Sequence, residues 1–255
     1  MALPVALQDR PQHLRRQRVP LADGRHTTVH VATYDARATE LKVALVRGQR
    51  LGAWCAAREF GEALVGGFFT RPDGVPLGEL RLGGVRRRHV AFDAPWDGER
   101  ACLHVEGGRV HIARRDELPA APRGDLLQAG PLLVRDGQAV YERALDPEGF
   151  SAGARQFDSD ITAKRHPRAA LALADGELLA VACDGRSRAD AGLTLEELAA
   201  VLTGLGAETA LNLDGGGSTS LIAGGELRNH PYADVGIPEP GGRGVATALL
   251  FLPRA

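Results

Sequence analysis

The sequence contains little of what stabilises small secreted proteins or binds long nucleic acids. It has three cysteines in 255 residues, Cys55, Cys102 and Cys183, and so odd and sparse a set excludes a disulfide framework. Neither charge is in excess, because 31 Lys plus Arg face 32 Asp plus Glu and the formal net charge is -1. This balance excludes a globally basic surface, so we expect no nucleic-acid partner, although a local cationic pocket for one phosphate stays compatible with it.

Long hydrophobic runs are missing as well. The apolar run Ala248–Leu252 is far shorter than the roughly 18 residues that a membrane-spanning helix needs. The N-terminal stretch Met1–Leu7 lacks the basic n-region of a signal peptide, is interrupted by Pro4 and is followed closely by Asp9 and Arg10. These features make it a poor signal peptide. We therefore expect a soluble, cytoplasmic protein without a membrane partner.

Glycine and turn-forming pairs, in contrast, are abundant. The chain has 32 Gly and 15 Pro, and its composition of 44% hydrophobic and 25% charged residues is that of a globular protein with a sizeable core. Asp-Gly between apolar segments is a strong hairpin signal, because type I′ turns need two residues of positive φ. Asp-Gly pairs begin at Asp23, Asp73, Asp97, Asp136, Asp175, Asp184 and Asp214.

Alternating and β-branched segments predict strands between these turns. We expect an α+β protein, a single domain of mixed, mostly antiparallel β-sheets with a few helices. The domain is predicted to span residues 26–255, after an N-terminal arm at 1–25 whose basic segment His13–Arg18 is a solvated arm or edge. The predicted strands are Thr27–Tyr34, Leu41–Val46, Leu64–Phe69, Ala210–Asp214 and Val245–Leu252. The predicted hairpins are 103–112, 169–183 and 220–228, and residues 80–88 form either a hairpin or a bulged strand.

A helix is predicted over residues 194–205. Thr194 and Glu197 form the Thr-x-x-Glu pattern of a capping box, in which each side chain accepts a hydrogen bond from the other residue's backbone N–H. Apolar residues follow from Leu195 at helical spacing. Gly206 stands where a glycine commonly ends a helix.

The segment Leu211–Thr219 carries the most specific local signal, with the sequence Leu-Asn-Leu-Asp-Gly-Gly-Gly-Ser-Thr. Three consecutive glycines cost conformational entropy, so ordinary turns seldom use them. Without Cβ atoms, successive N–H groups can form a concave anion site, and Ser218 and Thr219 would add two hydroxyl donors. A tight turn is the alternative explanation, and the spacing matches neither a dinucleotide fingerprint nor a P-loop.

Two arginine-containing segments lie beside other predicted strands. Cys183–Arg186 has the sequence Cys-Asp-Gly-Arg, and Arg165–Arg168 has the sequence Arg-His-Pro-Arg. The planar guanidinium suits a phosphate, so both segments are candidates for anion binding, with surface solvation as the alternative. We expect Cys183 to be a core thiol rather than a nucleophile, because no histidine partner is evident.

Taken in chain order, these segments resemble the phosphodiester glycosidase family over about residues 60–252. The resemblance implies an enzyme that hydrolyses the bond between a sugar's anomeric carbon and a phosphodiester, with a small-molecule or oligosaccharide substrate. The matching segments are Gly67-Phe-Phe69 with Asp73-Gly74 and Pro76-Leu-Gly78, Gln128-Ala-Gly-Pro131 with Arg135-Asp-Gly137, His166-Pro-Arg168, Cys183-Asp-Gly-Arg186, Gly192–Leu198 and Ala210–Thr219.

The resemblance also implies roles for individual residues. Because a phosphate is a good leaving group, the site needs charge stabilisation on the phosphate and a carboxylate beside the anomeric carbon more than a strong general acid. The implied catalytic residues are Asp214, Asp184, Arg168 and Asn212. The implied substrate-binding residues are Arg186, Gly215, Gly216, Gly217, Ser218, Thr219, Gly67, Phe69 and Gln128.

Two other functions stay open from the sequence. The family commonly has Asn where this chain has Val65, which leaves room for a non-catalytic protein that binds sugar phosphates. A metal-dependent phosphoesterase would use Asp184, Asp214 and a histidine, but the eight histidines show no ligand spacing such as His-x-x-x-His. We therefore expect no metal in the site and no cofactor, with a structural calcium ion held by oxygen ligands left open.

Overall fold

The computed structural model of the protein describes residues 13–151 and 161–254. Residues 1–12 of the predicted N-terminal arm lie outside the described residues, as do residues 152–160 and 255. Within the described ranges, no helix has both the length and the apolar character needed to cross a bilayer.

The described residues form mainly β-structure, as the turn-rich sequence predicts. The strands are β1 His13–Pro20, β2 His26–Asp35, β3 Thr39–Arg50, β4 Ala63–Val65, β5 Leu80–Leu82, β6 Val85–Arg86, β7 Ala101–Glu106, β8 Arg109–Arg114, β9 Asp125–Gln128, β10 Leu132–Arg135, β11 Gln138–Ala139, β12 Arg168–Ala174, β13 Glu177–Cys183, β14 Thr209–Asn212, β15 Leu221–Ala223, β16 Glu226–Leu227, β17 Tyr232–Asp234, β18 Ile237–Pro238 and β19 Gly244–Pro253. The helices are α1 Leu51–Ala56, α2 Trp96–Glu99 and α3 Leu195–Gly204, with 3₁₀ turns at Arg115–Glu117 and Gly216–Ser218. The predicted α+β class with mostly antiparallel sheets is confirmed.

The largest sheet has seven antiparallel strands in the order β1-β2-β13-β12-β14-β10-β11. In its central hairpin, Arg168 at the start of β12 lies opposite Cys183 at the end of β13. β14 also runs antiparallel to β12, with Asn212 opposite Ala170. The start of β12 and the ends of β13 and β14 therefore lie together at one end of the sheet, and the loops that follow begin there.

The basic segment of β1 is an edge strand. All eight residues of His13–Pro20 pair with β2, and Arg15, Arg16 and Arg18 are exposed. Charged side chains on an edge strand disfavour pairing with another chain. The predicted boundary at residue 25 falls inside the β1–β2 hairpin, in which residues 13–20 are a strand of the sheet and residues 21–25 form the turn. The assignment of residues 1–12 stays a prediction.

Two five-stranded antiparallel sheets complete the main framework, in the orders β16-β15-β4-β19-β3 and β6-β5-β9-β7-β8. One continuous core joins the three large sheets, since it contains Leu171 of β12, Leu64 of β4 and Leu103 of β7, all fully buried. Burial of this apolar surface supplies the main free energy of folding.

Helix α3 covers another part of the seven-stranded sheet. Its buried residues Leu195, Leu198 and Leu202 pack in a second core cluster with residues of that sheet. The predicted capping box is confirmed, because Glu197 N–H donates to Thr194 Oγ1 at 3.1 Å and Thr194 N–H donates to Glu197 Oε2 at 2.9 Å. This sheet and its helix provide the framework on which the loops described below are arranged.

The predicted strand Leu64–Phe69 is correct only at its start, since β4 ends at Val65. A Cβ on Gly66 would collide with Oγ1 of Thr247 on β19, so glycine is required for this close approach. Gly67 N–H donates to the same hydroxyl at 3.0 Å. The chain then leaves the sheet.

Candidate active site

A cavity of about 280 Å³ opens where the start of β12 and the ends of β13 and β14 meet. Its wall combines the glycine run with aromatic, acidic and basic side chains. The lining residues are Phe68, Phe69, Arg71, Ile161, His166, Arg168, Arg186, Leu213, Asp214, Gly215, Gly216, Gly217, Ser218, Ala233, Asp234 and Arg243.

Asp214 places a carboxyl group in this cavity wall. Its Oδ1 accepts the N–H of Gly215 at 2.9 Å. Its Oδ2 is shielded from solvent and accepts no hydrogen bond from the described residues. Burial raises the pKa of the Asp214 carboxyl to about 6, although the nearby Ser218 hydroxyl and the Gly215 N–H favour its charged form. The group is therefore mostly ionised at neutral pH and can take up a proton slightly below it.

The glycine run makes room for two guanidinium groups. A Cβ on Gly216 would lie 3.0 Å from Nη1 of Arg186, and a Cβ on Gly217 would lie 3.3 Å from Nη2 of Arg243. Gly216 also has a φ of +62°, a left-handed conformation that glycine adopts at little cost. Glycine at these positions lets both arginines pack against the main chain.

The amides of the run are less available than the sequence predicts. The N–H of Gly215 donates to Asp214 Oδ1, and the N–H of Gly216 donates to Pro167 O at 2.9 Å. Of the three glycine amides, only that of Gly217 has no hydrogen-bond acceptor among the described residues. The predicted cradle of consecutive unpaired amides is therefore wrong for Gly215 and Gly216, because the turn itself uses them.

Arg186 lies against the glycine run and is oriented by several acceptors. Its Nη1 donates to Ala233 O at 2.7 Å, and its Nε and Nη2 lie 3.3 and 3.1 Å from Nδ1 of His166. As an acceptor, Nδ1 carries no proton, which leaves the proton of a neutral imidazole on Nε2. Burial lowers the pKa of Arg186, Asp234 opposes that change and Arg243 adds to it, but a guanidinium stays charged at neutral pH.

Arg168 reaches the cavity wall and is also tied to the main chain. Its Nε donates to Leu193 O at 3.0 Å, and its Nη2 donates to Ile161 O at 2.7 Å and Lys164 O at 3.0 Å. Arg168 thus lines the same cavity as the glycine run. These bonds make Arg168 a fixed positive charge that orders the surrounding loops, so the expected planar grip on a phosphate by these two nitrogens is not available.

Sequence reasoning missed two arginines of the cavity, Arg71 and Arg243. Arg243 N–H donates to Gly217 O at 2.8 Å, which fixes it beside the glycine run, and both arginines act on the Asp214 carboxyl by lowering its pKa against the effect of burial. Arg243 follows two glycines in the sequence, a weak signal of close packing, whereas nothing in the local sequence of Arg71 marks it.

The described part of the cavity is electropositive. Four arginines line it against two carboxylates, Asp214 and the exposed Asp234, so with both acids ionised the wall carries an excess of two positive charges. Such an excess in a concave, partly desolvated site attracts an anionic ligand. The overall charge of the chain is close to zero, and this local concentration is therefore a feature of the tertiary structure.

Asp184, implied as catalytic by the resemblance, is not among the residues that line this cavity, which corrects that role. Its Oδ2 lies 3.0 Å from His30 Nε2, and its Oδ1 accepts the N–H of His230 at 2.6 Å. Burial alone would raise the pKa of Asp184, but the hydrogen bonds from His30 and His230 outweigh it and lower that pKa. Asp184 is thus an ordered, ionised group outside the cavity.

Asn212 and Thr219 are also absent from the cavity wall. Asn212 donates to Gly130 O at 2.9 Å and is fully buried, which corrects its expected contact with substrate. The Asn212 Oδ1 and Thr219 Oγ1 atoms are buried without a hydrogen-bond partner among the described residues. Both residues flank the Asp214 loop from within the protein. Ser218, in contrast, lines the cavity as predicted.

The glycine–double-aromatic segment is divided between wall and core. Phe69 lines the cavity as expected, with Phe68 beside it, whereas Gly67 packs against Leu127. Gln128, expected to contact substrate, is buried outside the wall: its Oε1 accepts Glu79 N–H at 3.0 Å and its Nε2 donates to Asp97 O at 2.7 Å. These bonds satisfy its amide within the protein.

Val65, the position at which the family commonly has Asn, is fully buried in the main core. Cys183 is buried as well, and burial raises the pKa of its thiol to about 12, which agrees with the expected core thiol. Among the described residues, one group of three donors could hold a metal ion, namely His30, Asp184 and His230. Since this group does not include Asp214, the metal-dependent arrangement considered from the sequence is not formed.

Solved structures provide a match to the fold. The catalytic domain of zebrafish N-acetylglucosamine-1-phosphodiester alpha-N-acetylglucosaminidase, auto-inhibited by its pro-peptide, superposes with a TM-score of 0.68 at 19% identity, covering 95% of this chain and 83% of that one. A hypothetical protein from Synechocystis superposes with a TM-score of 0.66 at 20% identity, and the match spans 94% of this chain but 62% of that protein. No curated sequence matches the chain significantly.

The model of the phosphodiester glycosidase family matches residues 61–252, which are 192 of the 255 residues and include every cavity residue named above. The chain therefore belongs to the phosphodiester glycosidase family.

Proposed function

We propose that the protein hydrolyses the bond between a sugar's anomeric carbon and a phosphodiester. The observation that carries the proposal is Asp214, a carboxyl with a pKa of about 6 in a cavity with an excess of arginine. One carboxylate and several fixed positive charges are what cleavage of a glycosyl phosphate requires, because negative charge develops on the departing phosphate.

The phosphate is assigned to the side of the cavity formed by Arg186, Arg243 and Gly217. The two guanidinium groups flank the glycine run, and the Gly217 N–H has no acceptor among the described residues. Charge-assisted hydrogen bonds from arginine to phosphate are strong and directional. His166, whose Nδ1 accepts from Arg186, and Arg71 also line this cavity.

The sugar is assigned to the side formed by Phe68, Phe69 and Asp214. An aromatic face supplies apolar contact for a sugar ring, and Asp214 then lies beside the anomeric carbon. In its ionised form Asp214 either attacks that carbon, forming a glycosyl-enzyme that water then hydrolyses, or removes a proton from the water that attacks it. In both cases the bond from the carbon to the phosphate oxygen breaks and the phosphate monoester departs. Protonation of Asp214 below about pH 6 removes this function. A good leaving group makes a second, protonated carboxyl unnecessary.

Roles differ for the remaining predicted residues. Arg168, Asn212 and Gln128 are positioning residues, because their hydrogen bonds run to the main chain around the site. Membership of the family supports a sugar phosphodiester as the substrate, and we propose a small-molecule or oligosaccharide phosphodiester. We also propose that the enzyme needs no cofactor and that the protein is cytoplasmic.

Activity can be tested on methyl phosphodiesters of sugar 1-phosphates, with N-acetylglucosamine, glucose and mannose as the sugars. We expect release of the free sugar by the wild type and a loss of at least about a hundredfold in kcat for Asp214→Asn, within the range of one essential general-base or nucleophilic group. Asp234→Asn, an exposed carboxylate of the same wall, is the matched control and should retain most activity. Full activity of a folded Asp214→Asn variant would reject the assignment.

Binding without catalysis is the second candidate, favoured by the apolar Val65 in place of the family's common Asn. Calorimetry with the same diesters distinguishes the two functions. Heat of binding without sugar release over many hours would favour the binding protein, whereas turnover that depends on Asp214 would exclude it.

A further inference from the structure

A cluster of ionisable side chains lies outside the cavity, where Asp184 meets two histidines. His30 Nε2 lies 3.0 Å from Asp184 Oδ2, and His230 Nδ1 lies 3.3 Å from the same oxygen. All three ligand atoms lie within 4.8 Å of one another. We propose that His30, Asp184 and His230 bind one divalent transition-metal ion of the zinc type.

The donor set fits this class of metal. Two imidazole nitrogens and one carboxylate oxygen suit zinc and its neighbours, whereas calcium and magnesium prefer all-oxygen sites. In a tetrahedral site with bonds of about 2.0 Å, neighbouring donors are about 3.3 Å apart. The distances from Asp184 Oδ2 to His30 Nε2 and to His230 Nδ1, 3.0 and 3.3 Å, are close to this value. Rotation of the His230 side chain, which is 72% exposed, can bring the two imidazole nitrogens to the same separation.

Asp184 is held in the orientation that such a site needs. Its Oδ1 accepts the His230 N–H at 2.6 Å, which directs Oδ2 to the imidazoles. Its main chain is fixed on both sides, by an N–H that donates to Thr28 O at 2.9 Å and by a carbonyl that accepts the Thr27 hydroxyl at 2.6 Å. Outer hydrogen bonds of this kind position metal ligands and reduce the entropy lost on binding.

Space for a further ligand lies beside the cluster, in a pocket of about 270 Å³ that His30 and His230 help to line. Arg228 also lines it but pairs with Glu226 at 2.8 Å, while Arg15 and Arg16 are exposed on the edge strand, where solvent and salt screen them. These arginines oppose a bare cation weakly and favour an anion as the fourth ligand. The pocket thus provides an open coordination position.

The site adjoins the catalytic cavity along the chain. Asp184 precedes Arg186 by two residues and His230 precedes Ala233 by three, and Arg186 and Ala233 line the cavity. A bound ion would join these two segments to His30 on β2 and restrict their motion. The proposal does not depend on the proposed enzymatic function, because it concerns an ion outside the reaction site.

The test uses the whole protein, freed of metal by a chelator that is then removed by dialysis. It is titrated with Zn²⁺ alone in competition with a chromophoric chelator, and separately with Co²⁺, whose visible absorption reports its coordination. We expect one ion per chain, a tetrahedral Co²⁺ spectrum and a higher thermal midpoint. Loss of an outer-shell partner already weakens metal binding by about tenfold or more. Because His230 is a proposed ligand, His230→Ala should weaken Zn²⁺ binding by at least this factor and abolish the tetrahedral Co²⁺ spectrum.

His111→Ala, which removes an exposed histidine of β8, is the matched control and should leave affinity and spectrum unchanged. His230→Gln, which keeps a polar side chain, serves as a second variant should the alanine variant fold poorly. The proposal is overturned if the wild type binds no ion, or if both His230 variants bind Zn²⁺ as tightly as the wild type. Loss of the ion with retained glycosidase activity would leave the proposed function intact.

Discussion

Replacement of Asp214 by Asn should make the protein more stable at neutral pH while it destroys activity. Burial raises the pKa of this carboxyl from its ordinary 3.8 to about 6 in the folded protein. At about 1.4 kcal/mol per pH unit, this difference corresponds to about 3 kcal/mol of stability that the ionised side chain costs. The figure is an upper limit, because Asp214 borders a cavity that water can enter.

The sign follows from proton binding. The pKa of Asp214 is higher in the folded state than in the unfolded state, so the folded state binds more protons between about pH 4 and 6. The contribution of Asp214 to the free energy of unfolding of the wild type therefore rises as the pH falls through that window. Asparagine has no such proton. The advantage of Asp214→Asn should therefore be about 3 kcal/mol at pH 8 and shrink to about 0.6 kcal/mol at pH 4.

Urea unfolding of both proteins at pH 8 and pH 4, followed by circular dichroism, measures how the difference in their free energy of unfolding changes with pH. Groups that titrate alike in both proteins do not contribute to that difference. Asp234→Asn, which changes an exposed carboxylate on the same cavity, is the control and should not gain stability at pH 8, because its side chain is not buried. An advantage of Asp214→Asn that does not change with pH, or a variant less stable than the wild type at pH 8, would refute burial as the cause.

Three further predictions test other parts of the argument. Gly216→Ala places a Cβ 3.0 Å from Nη1 of Arg186 and an alanine at positive φ; we expect a loss of about 1–2 kcal/mol in urea unfolding and a higher KM, and unchanged values would show that the glycine is dispensable. Arg243→Ala should raise KM for a phosphodiester roughly tenfold, the effect of about 1.4 kcal/mol in binding, and leave inhibition by neutral sugar unchanged, with Arg243→Lys intermediate; equal effects on both ligands would contradict a phosphate contact. Thr194→Ala breaks the capping box with Glu197 and should cost about 1 kcal/mol in unfolding with unchanged kcat; an unchanged midpoint would show that the cap contributes nothing.

Local sequence accounts for much of the fold. The helix at 194–205 and the hairpin at 169–183 depend on spacing, capping and turn residues that lie within a few positions of one another, and the structure has both. The predicted strand at 64–69 ends at Val65, and the next residue, Gly66, packs against Thr247 of β19. That contact joins residues far apart in sequence, and local patterns do not record it.

The site shows the same division. Asp184 and Asp214 have the same local signature, an Asp-Gly pair after an apolar strand, yet only Asp214 lines the cavity. β13 is paired with β2, whose register puts His30 opposite Ala182, and this pairing brings Asp184 to a histidine.

By itself the sequence determined the antiparallel β-rich class, the main helix, the glycine run and the family resemblance, because each depends on residues that are neighbours in the chain. Only the tertiary structure decided which amides the turn uses, that Arg71 and Arg243 join the cavity, and that Asp184 meets histidines instead of substrate. The physical reason is that burial and charge at a site are sums over groups brought together from distant segments, and those sums exist only once the strands have paired.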